Sequence, residues 1–244
     1  MPLIDEPRPV RKVVTSRAGG VSPAPYDSLN LALHVEDDPQ VVLANRRRLA
    51  RVVGVPTGRF VWMEQLHTNT VTVVEGPSDE PVAATDALVT TAPNLVLAVL
   101  VADCVPVLLS DARAGVVAAV HAGRLGTRNG IVPRAVEAMV GCGAHPRDIH
   151  ALLGPAAAGE SYEVPEAMAR DVDGRVPGSY VRTRAGTPGL DLRAGIAGQL
   201  RAVGVRAIDV DPRDTIADEQ FFSHRREGRT GRQAGLVWIE RKED

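Results

Sequence analysis

LVADCVPVLLSDARAGVVAAVHAGRLG, from Leu100 to Gly126, sets two apolar runs on either side of a short polar turn. VPVLLSD and GVVAAVHAG each read as a buried strand, and a third run, NLVLAVLVAD, leads into them. Cys104, directly after Asp103, opens the first of the pair, and His121 stands at the end of the second, 17 residues on. Thiols and imidazoles at the ends of buried strands call for a chemical reason.

Working outward, RKVVTSR, RFVWMEQLH, TVTVVEG, TDALVTT, DIHALLGP and AIDVD read as further strands, with one more at the end of the chain. Asp38 as cap and Pro39 at the first helical position open a helix over QVVLANRRRLARVV, which Gly54 ends. Gly130 to Gly143, PEAMARDV and DLRAGIAGQLRAVGV are the other helices. Strands outnumber helices and mostly follow one another directly, which disfavours a doubly wound parallel sheet. The pattern predicts an α/β fold of the α+β type: mixed β-sheets with helices packed on their outer faces. One domain is expected over residues 1–244, with residues 1–10 and their three prolines as an extended lead-in.

With 244 residues and 44% apolar content, the chain can bury a substantial core. A net charge of −2 argues against a general nucleic-acid or membrane-surface binder. Lys12 and Lys242 are the only lysines, so arginine is the default cation and one more arginine says little. Two cysteines exclude a disulfide framework. No apolar run approaches a membrane span, and MPLIDEPRPV has no signal-peptide core, so a cytoplasmic protein with reduced thiols is expected.

His67 closes WMEQLH as His121 closes VVAAVH, and with Cys104 the two make a set of two imidazoles and one thiolate. That set is known in catalytic zinc sites, which keep a fourth position open, and it suits zinc or copper rather than magnesium or calcium. The same residues also fit a cysteine nucleophile, with His121 as base and Asp103 orienting it. A core cysteine beside hydrogen-bonded histidines is the plain structural reading, and spacing alone does not choose among the three. TSRAGGVS resembles an anion-binding turn to which Arg17 adds charge, and FFSHRREGRTGR gathers Arg225, Arg226, Arg229 and Arg232. Both also read as an ordinary glycine turn and a solvated loop. Asp86, Asp103, Asp111 and Asp191 are strand-end or helix-cap carboxylates, Asp191 best as a cap.

Taken together, TSRAGGVSPAPYDSLNLALHVEDDPQVVLANRRRLA, QLH, TDALVT, ADCVPVLL, HAG, LGP with YEV, and FFSHRREGRTGR resemble the YfiH-like laccase-domain family. This family is also called polyphenol oxidase-like, and its members are generally described as purine nucleoside phosphorylases. The resemblance runs in order from about Thr15 to Trp238. It implies that the metal ligands and catalytic centre are His67, Cys104 and His121, with zinc as the metal and copper the alternative. It implies phosphorolysis of adenosine, inosine and methylthioadenosine, with deamination of adenosine besides. Purine nucleoside and phosphate are then the partners, and a monomer or small homo-oligomer is expected. Candidate substrate contacts are Arg17, Asp86, Asp103, Arg225 and Arg226. The rivals are a copper-dependent phenol oxidase and a non-catalytic zinc protein. Blue copper needs a weak axial ligand, and a multicopper cluster needs more histidines than six. The chain departs from the family pattern at Thr68 after QLH, at Arg124 and Leu125 after HAG, and at His224 in FFSHRR; AAAGES and RDT stand where cysteine-bearing segments are usual.

Overall fold

The computed structural model describes residues 9–240. In chain order the strands are β1 (Val10–Val14), β2 (Phe60–Val61), β3 (Val71–Val73), β4 (Ala87–Thr90), β5 (Val96–Val101) and β6 (Val105–Asp111). They continue with β7 (Val116–Ala122), β8 (His150–Leu153), β9 (Tyr180–Arg182), β10 (Pro188–Leu190), β11 (Ala207–Val210) and β12 (Gln233–Ile239). The helices are α1 (Pro39–Val53), α2 (Arg124–Arg128), α3 (Ile131–Gly141), α4 (Glu166–Asp173), α5 (Leu192–Ala202) and α6 (His224–Glu227).

A four-stranded sheet runs β1-β12-β5-β2 and a six-stranded sheet β11-β8-β6-β7-β4-β3; β9 and β10 form a separate hairpin. Both large sheets are mixed, with parallel pairs β2·β5, β3·β4 and β8·β11 beside antiparallel ones. The sheets share one face. Leu97, Val99 and Val101 of β5 meet Leu108 of β6 and Val117 and Ala119 of β7 there. Val96, Ala98 and Leu100 turn the other way, packing with Leu49 and Ala50 of α1. On the far side, Val116, Ala118, Val120 and Ala122 of β7 lie against Ile131, Ala135 and Met139 of α3. Strands covered on both faces read as unbroken apolar runs, and each buried Val or Leu contributes about 1.5–3 kcal/mol. The expected mixed sheets with helices outside are therefore present.

Helix α1 starts as the sequence implies: Asp38 accepts from the Gln40 N–H, Pro39 follows, and Gly54 at φ 73° turns the chain out. Asp191 caps α5 by accepting from the Ala194 N–H. Other expectations need correction. RFVWMEQLH is strand only at Phe60–Val61, and His67 lies on the loop to β3 with a left-handed φ of 59°. Side chains rather than a ladder hold that loop: Gln65 pairs both ends of its amide with the Leu100 backbone, mimicking a strand neighbour. The lead-in falls mostly outside the described residues, and Val10 already belongs to β1. Helices α2 and α6 and the β9–β10 hairpin are additions, all too short to carry a periodic signal. Among the described residues no helix is long and apolar enough to cross a membrane.

On edge strand β1, Lys12 lies between Val10 and Val14, which both pack into the shared core. Its ammonium donates to Nδ1 (2.6 Å) and to the carbonyl oxygen (2.7 Å) of His150 on β8, whose Nε2 lies 2.9 Å from Asp209 of β11. Burial pushes Lys12 down to about 7, against the attraction of Asp209. Between that value and the ordinary lysine range the unfolded chain binds the extra proton, so this group makes the fold less stable at low pH and more stable as pH rises. Lys12→Met should therefore raise the urea midpoint more at pH 6 than at pH 10. A larger loss at pH 6 than at pH 10 would show that the charged cross-sheet contact dominates instead.

Candidate metal centre

The chain passes from the smaller sheet to the larger one twice, and a candidate ligand sits at each passage. Ala102–Cys104 form the bend between β5 and β6, with Asp103 at φ 81° making the turn. The loop from β2 to β3 carries His67. His121 is the third, on β7, where it shares the inter-sheet side with Val117 and Ala119 and is almost fully buried. The two imidazole rings stand edge to face with centroids 4.7 Å apart, and Cys104 Sγ lies 3.9 Å from His67 Nε2. The three ligand atoms all lie within 4.8 Å of one another.

Asp86, just before β4, fixes this arrangement. Its carboxylate is wholly buried and accepts the backbone N–H groups of Leu66, His67 and Thr68, the Thr68 hydroxyl, and Nδ1 of His121 at 2.8 Å. Burial would raise this carboxyl, but the hydrogen bonds from His121 and Thr68 hold it down to about 2. A carboxylate only accepts, so Nδ1 of His121 carries a hydrogen and Nε2 is the atom left to face Cys104. Burial also opposes the Cys104 thiolate, yet the charge of His121 and hydrogen bonds from both histidines bring the thiol down to about 6. Burial lowers His121 in turn, while the Cys104 thiolate and Asp86 raise it to about 9. The sulfur is thus ready as a ligand at neutral pH, with a proton on His121 that a metal would replace.

The set fits a soft or borderline cation. Tetrahedral zinc, with bonds of about 2.3 Å to sulfur and 2.0–2.1 Å to nitrogen, would place those atoms about 3.6 Å apart, close to the spacing seen between Cys104 and His67. Gly123 supplies the room: a Cβ there would come within 2.9 Å of the His67 ring and 3.0 Å of Cys104 Sγ. Burial is graded from His121, which is buried, to His67, which is exposed, so the set opens on one side.

That side faces a cavity of about 480 Å³, within the usual range for small-molecule sites. Leu100, Leu125, Ala157 and Leu192 give it an apolar part, Arg124, Arg225 and Arg232 a cationic one, and His34 and His224 add imidazoles. Asp103 also lines it, but its two carboxylate oxygens accept the Thr215 hydroxyl and the Arg225 backbone N–H, each at 2.7 Å. Asp103 therefore braces the bend that presents Cys104. Asp86 lies behind the ligands, buried away from any substrate.

Arg17 and Arg226 are not brought to the cavity. Arg17 donates to Asp27 and Glu227 and lies over the Phe222 ring. Arg226 spends its guanidinium on Glu227 and on the carbonyls of Thr215, Ile216, Asp218 and Phe221. In TSRAGGVS the N–H groups of Ala18, Gly20, Val21 and Ser22 are satisfied within the protein, and Gly20 is there because any Cβ would strike Ser28. These features close the fold around the site; the expected anion turn is a packed turn. Of the candidate substrate contacts, Arg225 is the one whose guanidinium stands on the cavity wall. Arg232, one of the arginines gathered in FFSHRREGRTGR, lines the cavity too, as do Gln65, Tyr162 and His34, which were not singled out from sequence. Gln65 and Tyr162 lie inside QLH and YEV, and His34 inside the long segment that starts at Thr15, but no spacing within those segments marks them as cavity residues.

Residues 11–240 match the family model described as multi-copper polyphenol oxidoreductase laccase. The chain is 63% identical over 234 residues to a protein of Corynebacterium glutamicum named purine nucleoside phosphorylase, covering 95% of each. It is 58% identical over 231 residues to one of that name from Mycobacterium tuberculosis strain H37Rv, covering 95% of this chain and 92% of the other. Among solved structures it resembles YlmD from Geobacillus stearothermophilus, with a TM-score of 0.90, 33% identity, and 95% and 92% coverage.

Removing the Asp86 carboxylate should damage fold and site together. Asp86→Ala leaves three backbone N–H groups and the His121 ring without their acceptor, and breaking such a buried charged pair costs about 3–5 kcal/mol. Loss of a group that orients a ligand should also weaken metal binding about 10–100-fold. Urea unfolding and competitive chelator titration measure the two. Parent-like values in both would remove Asp86 from this role.

Proposed function

This chain belongs to the multi-copper polyphenol oxidoreductase laccase family, and we propose that it works as a zinc-dependent purine nucleoside phosphorylase. Its substrates in this reading are adenosine, inosine and methylthioadenosine, with deamination of adenosine as a second activity. The observation that carries the reading is an open Cys104–His67–His121 set on a cavity that is apolar on one part and cationic on another. The names of the relatives at 63% and 58% identity support it. We take residues 1–244 as one domain acting in the cytoplasm, on small molecules rather than nucleic acid or membrane, as a monomer or small homo-oligomer.

His67, Cys104 and His121 would hold the metal. Bound zinc supplies Lewis acidity toward an electronegative atom of the substrate. The rest of the mechanism falls to the chain. Asp86 holds the His121 tautomer and the His67 backbone, so the donor atoms need little rearrangement. The apolar wall of Leu100, Leu125 and Leu192 suits a purine ring and keeps water from it. An oxygen of hydrogen phosphate attacks C1′ of the ribose, the bond from C1′ to the purine nitrogen breaks with its electron pair leaving on the base, and the proton given up by the phosphate is taken by that nitrogen. Arg225, whose guanidinium Nη1 is anchored on the Glu163 carbonyl, presents the remaining donors to the incoming phosphate. Deamination differs in needing water at C6 of adenine instead of phosphate at C1′.

Copper oxidation of phenols is the competing reading, and the family's description keeps it in view. A blue-copper site needs a weak axial ligand. Among the described residues no methionine lines the cavity, and both ends of the Gln65 amide are engaged by Leu100.

Adenosine with phosphate should give adenine and ribose 1-phosphate, and inosine should give hypoxanthine. Omitting phosphate should stop base release and leave any deamination to inosine. Cys104→Ala should lower zinc content to below about a tenth and base release with it, since a three-ligand site loses its thiolate. Folded, zinc-loaded protein that releases no base from any purine nucleoside, yet oxidises phenols when loaded with copper, would replace this reading by the oxidase one.

A further inference from the structure

Phosphorolysis, the reading on which this inference rests, needs a tetrahedral oxyanion held beside the metal centre. Three guanidinium groups line the cavity, and their surroundings separate them. Arg232 is largely buried and turns Nη1 onto the carbonyls of Thr230 and Gly231. Arg225 fixes its backbone N–H on Asp103, gives Nη1 to the Glu163 carbonyl, and lies 4.8 Å from the centre of the Tyr162 ring. Arg124 opens α2, two residues after the end of β7, and lines the same cavity as Tyr162 and Arg225. Arg124, Arg225, Tyr162 and Cys104 thus share one cavity wall.

Neither guanidinium has a carboxylate partner. Among the described residues the ion pairs go to other arginines, including Arg17, Arg128, Arg213 and Arg226, and none to Arg124 or Arg225. Arg128, one turn along α2 from Arg124, already takes Asp171 with two nitrogens, at 2.5 and 2.7 Å. Among the described residues the one carboxylate on the cavity wall, Asp103, has both oxygens occupied. Two guanidiniums that form no ion pair among the described residues and belong to residues on the wall of one cavity favour an oxyanion there, because their planar N–H pairs match oxyanion geometry.

We infer that Arg124 and Arg225, which line the cavity together with Tyr162, form its phosphate subsite, with Arg124 the residue that sets phosphate affinity. Arg225 is anchored and acts as the fixed wall. Arg124 has no anchor on a carboxylate and closes the site from the α2 side. His34 and Arg232, which line the same cavity, are left for the rest of the nucleoside.

The test uses zinc-loaded full-length protein, its Arg124→Met and Arg124→Lys variants, and two readouts. Inorganic phosphate binding is followed by calorimetry without nucleoside, and KM is measured separately for phosphate and for adenosine. Arg124→Met should weaken phosphate binding and raise the phosphate KM about 10–100-fold, the loss expected for a charge-assisted contact. The adenosine KM at saturating phosphate should stay within about threefold, zinc content should be unchanged, and Arg124→Lys should recover part of the loss, since it keeps the charge without the fork. Phosphate binding and KM in Arg124→Met within about threefold of the parent would overturn the inference while leaving the phosphorylase reading intact. If the parent binds phosphate, releases no base, and Arg124→Met loses the binding, the subsite stands and the phosphorylase reading falls. A parent that binds no phosphate overturns both.

Discussion

Asp86 is a fully buried carboxylate that accepts five hydrogen bonds, four from the Leu66–Thr68 segment and one from the ring of His121. A buried charge with any of these partners missing would be costly, so the loop between β2 and β3 is drawn into one conformation although it has almost no strand pairing. The left-handed backbone at His67 is tolerated for the same reason. One carboxylate therefore joins a loop from the smaller sheet to a strand of the larger, and in doing so sets two of the three candidate ligands. Thr68, where the family pattern has glycine, adds a hydroxyl to this shell rather than disturbing it.

The third ligand follows from the sandwich itself. Strands β5 and β6 lie in different sheets, and the bend that carries the chain across leaves Cys104 at the end of the shared apolar layer. Thr215 and the first turn of α6 hold that bend through Asp103. Gly123 then keeps clear the volume between Cys104 and His67. Hydrophobic packing places the sheets, and a few buried polar contacts at one end convert that placement into a site. Among the described residues, arginines on the cavity wall stay free of ion pairs because the acidic residues nearby are already committed to backbone groups or to other arginines.

Much of this was legible in the chain. Buried strands announced themselves as unbroken apolar runs, and α1 by its Asp38–Pro39 start and Gly54 stop. The sites of Cys104 and His121 at strand ends could be read from the same runs, though their meeting with His67 came from the family resemblance. The loop around His67 was misread because VWMEQLH has strand-like composition, and only the side chains of Gln65 and Asp86, distant in sequence, show why it is not one. Arginines were the least legible. In a chain where nearly every cation is arginine, Arg17 and Arg226 look as suitable for phosphate as Arg225, and only their partners tell them apart. Arg124 stood out as a departure from the family pattern, and its position on the cavity wall gives that departure a place in the chemistry.

The family's description names copper and phenol oxidation, whereas the relatives' names state a phosphorylase, so the metal held by the three side chains separates the two readings. X-ray absorption at the zinc edge on the protein as purified addresses that division directly, because it reads both the metal and its ligands. One sulfur at about 2.3 Å and two imidazole nitrogens at about 2.0–2.1 Å, at one zinc per chain, is the expected result. A zinc shell without sulfur, or copper in place of zinc at the same occupancy, would contradict the assignment of His67, Cys104 and His121 as a zinc site.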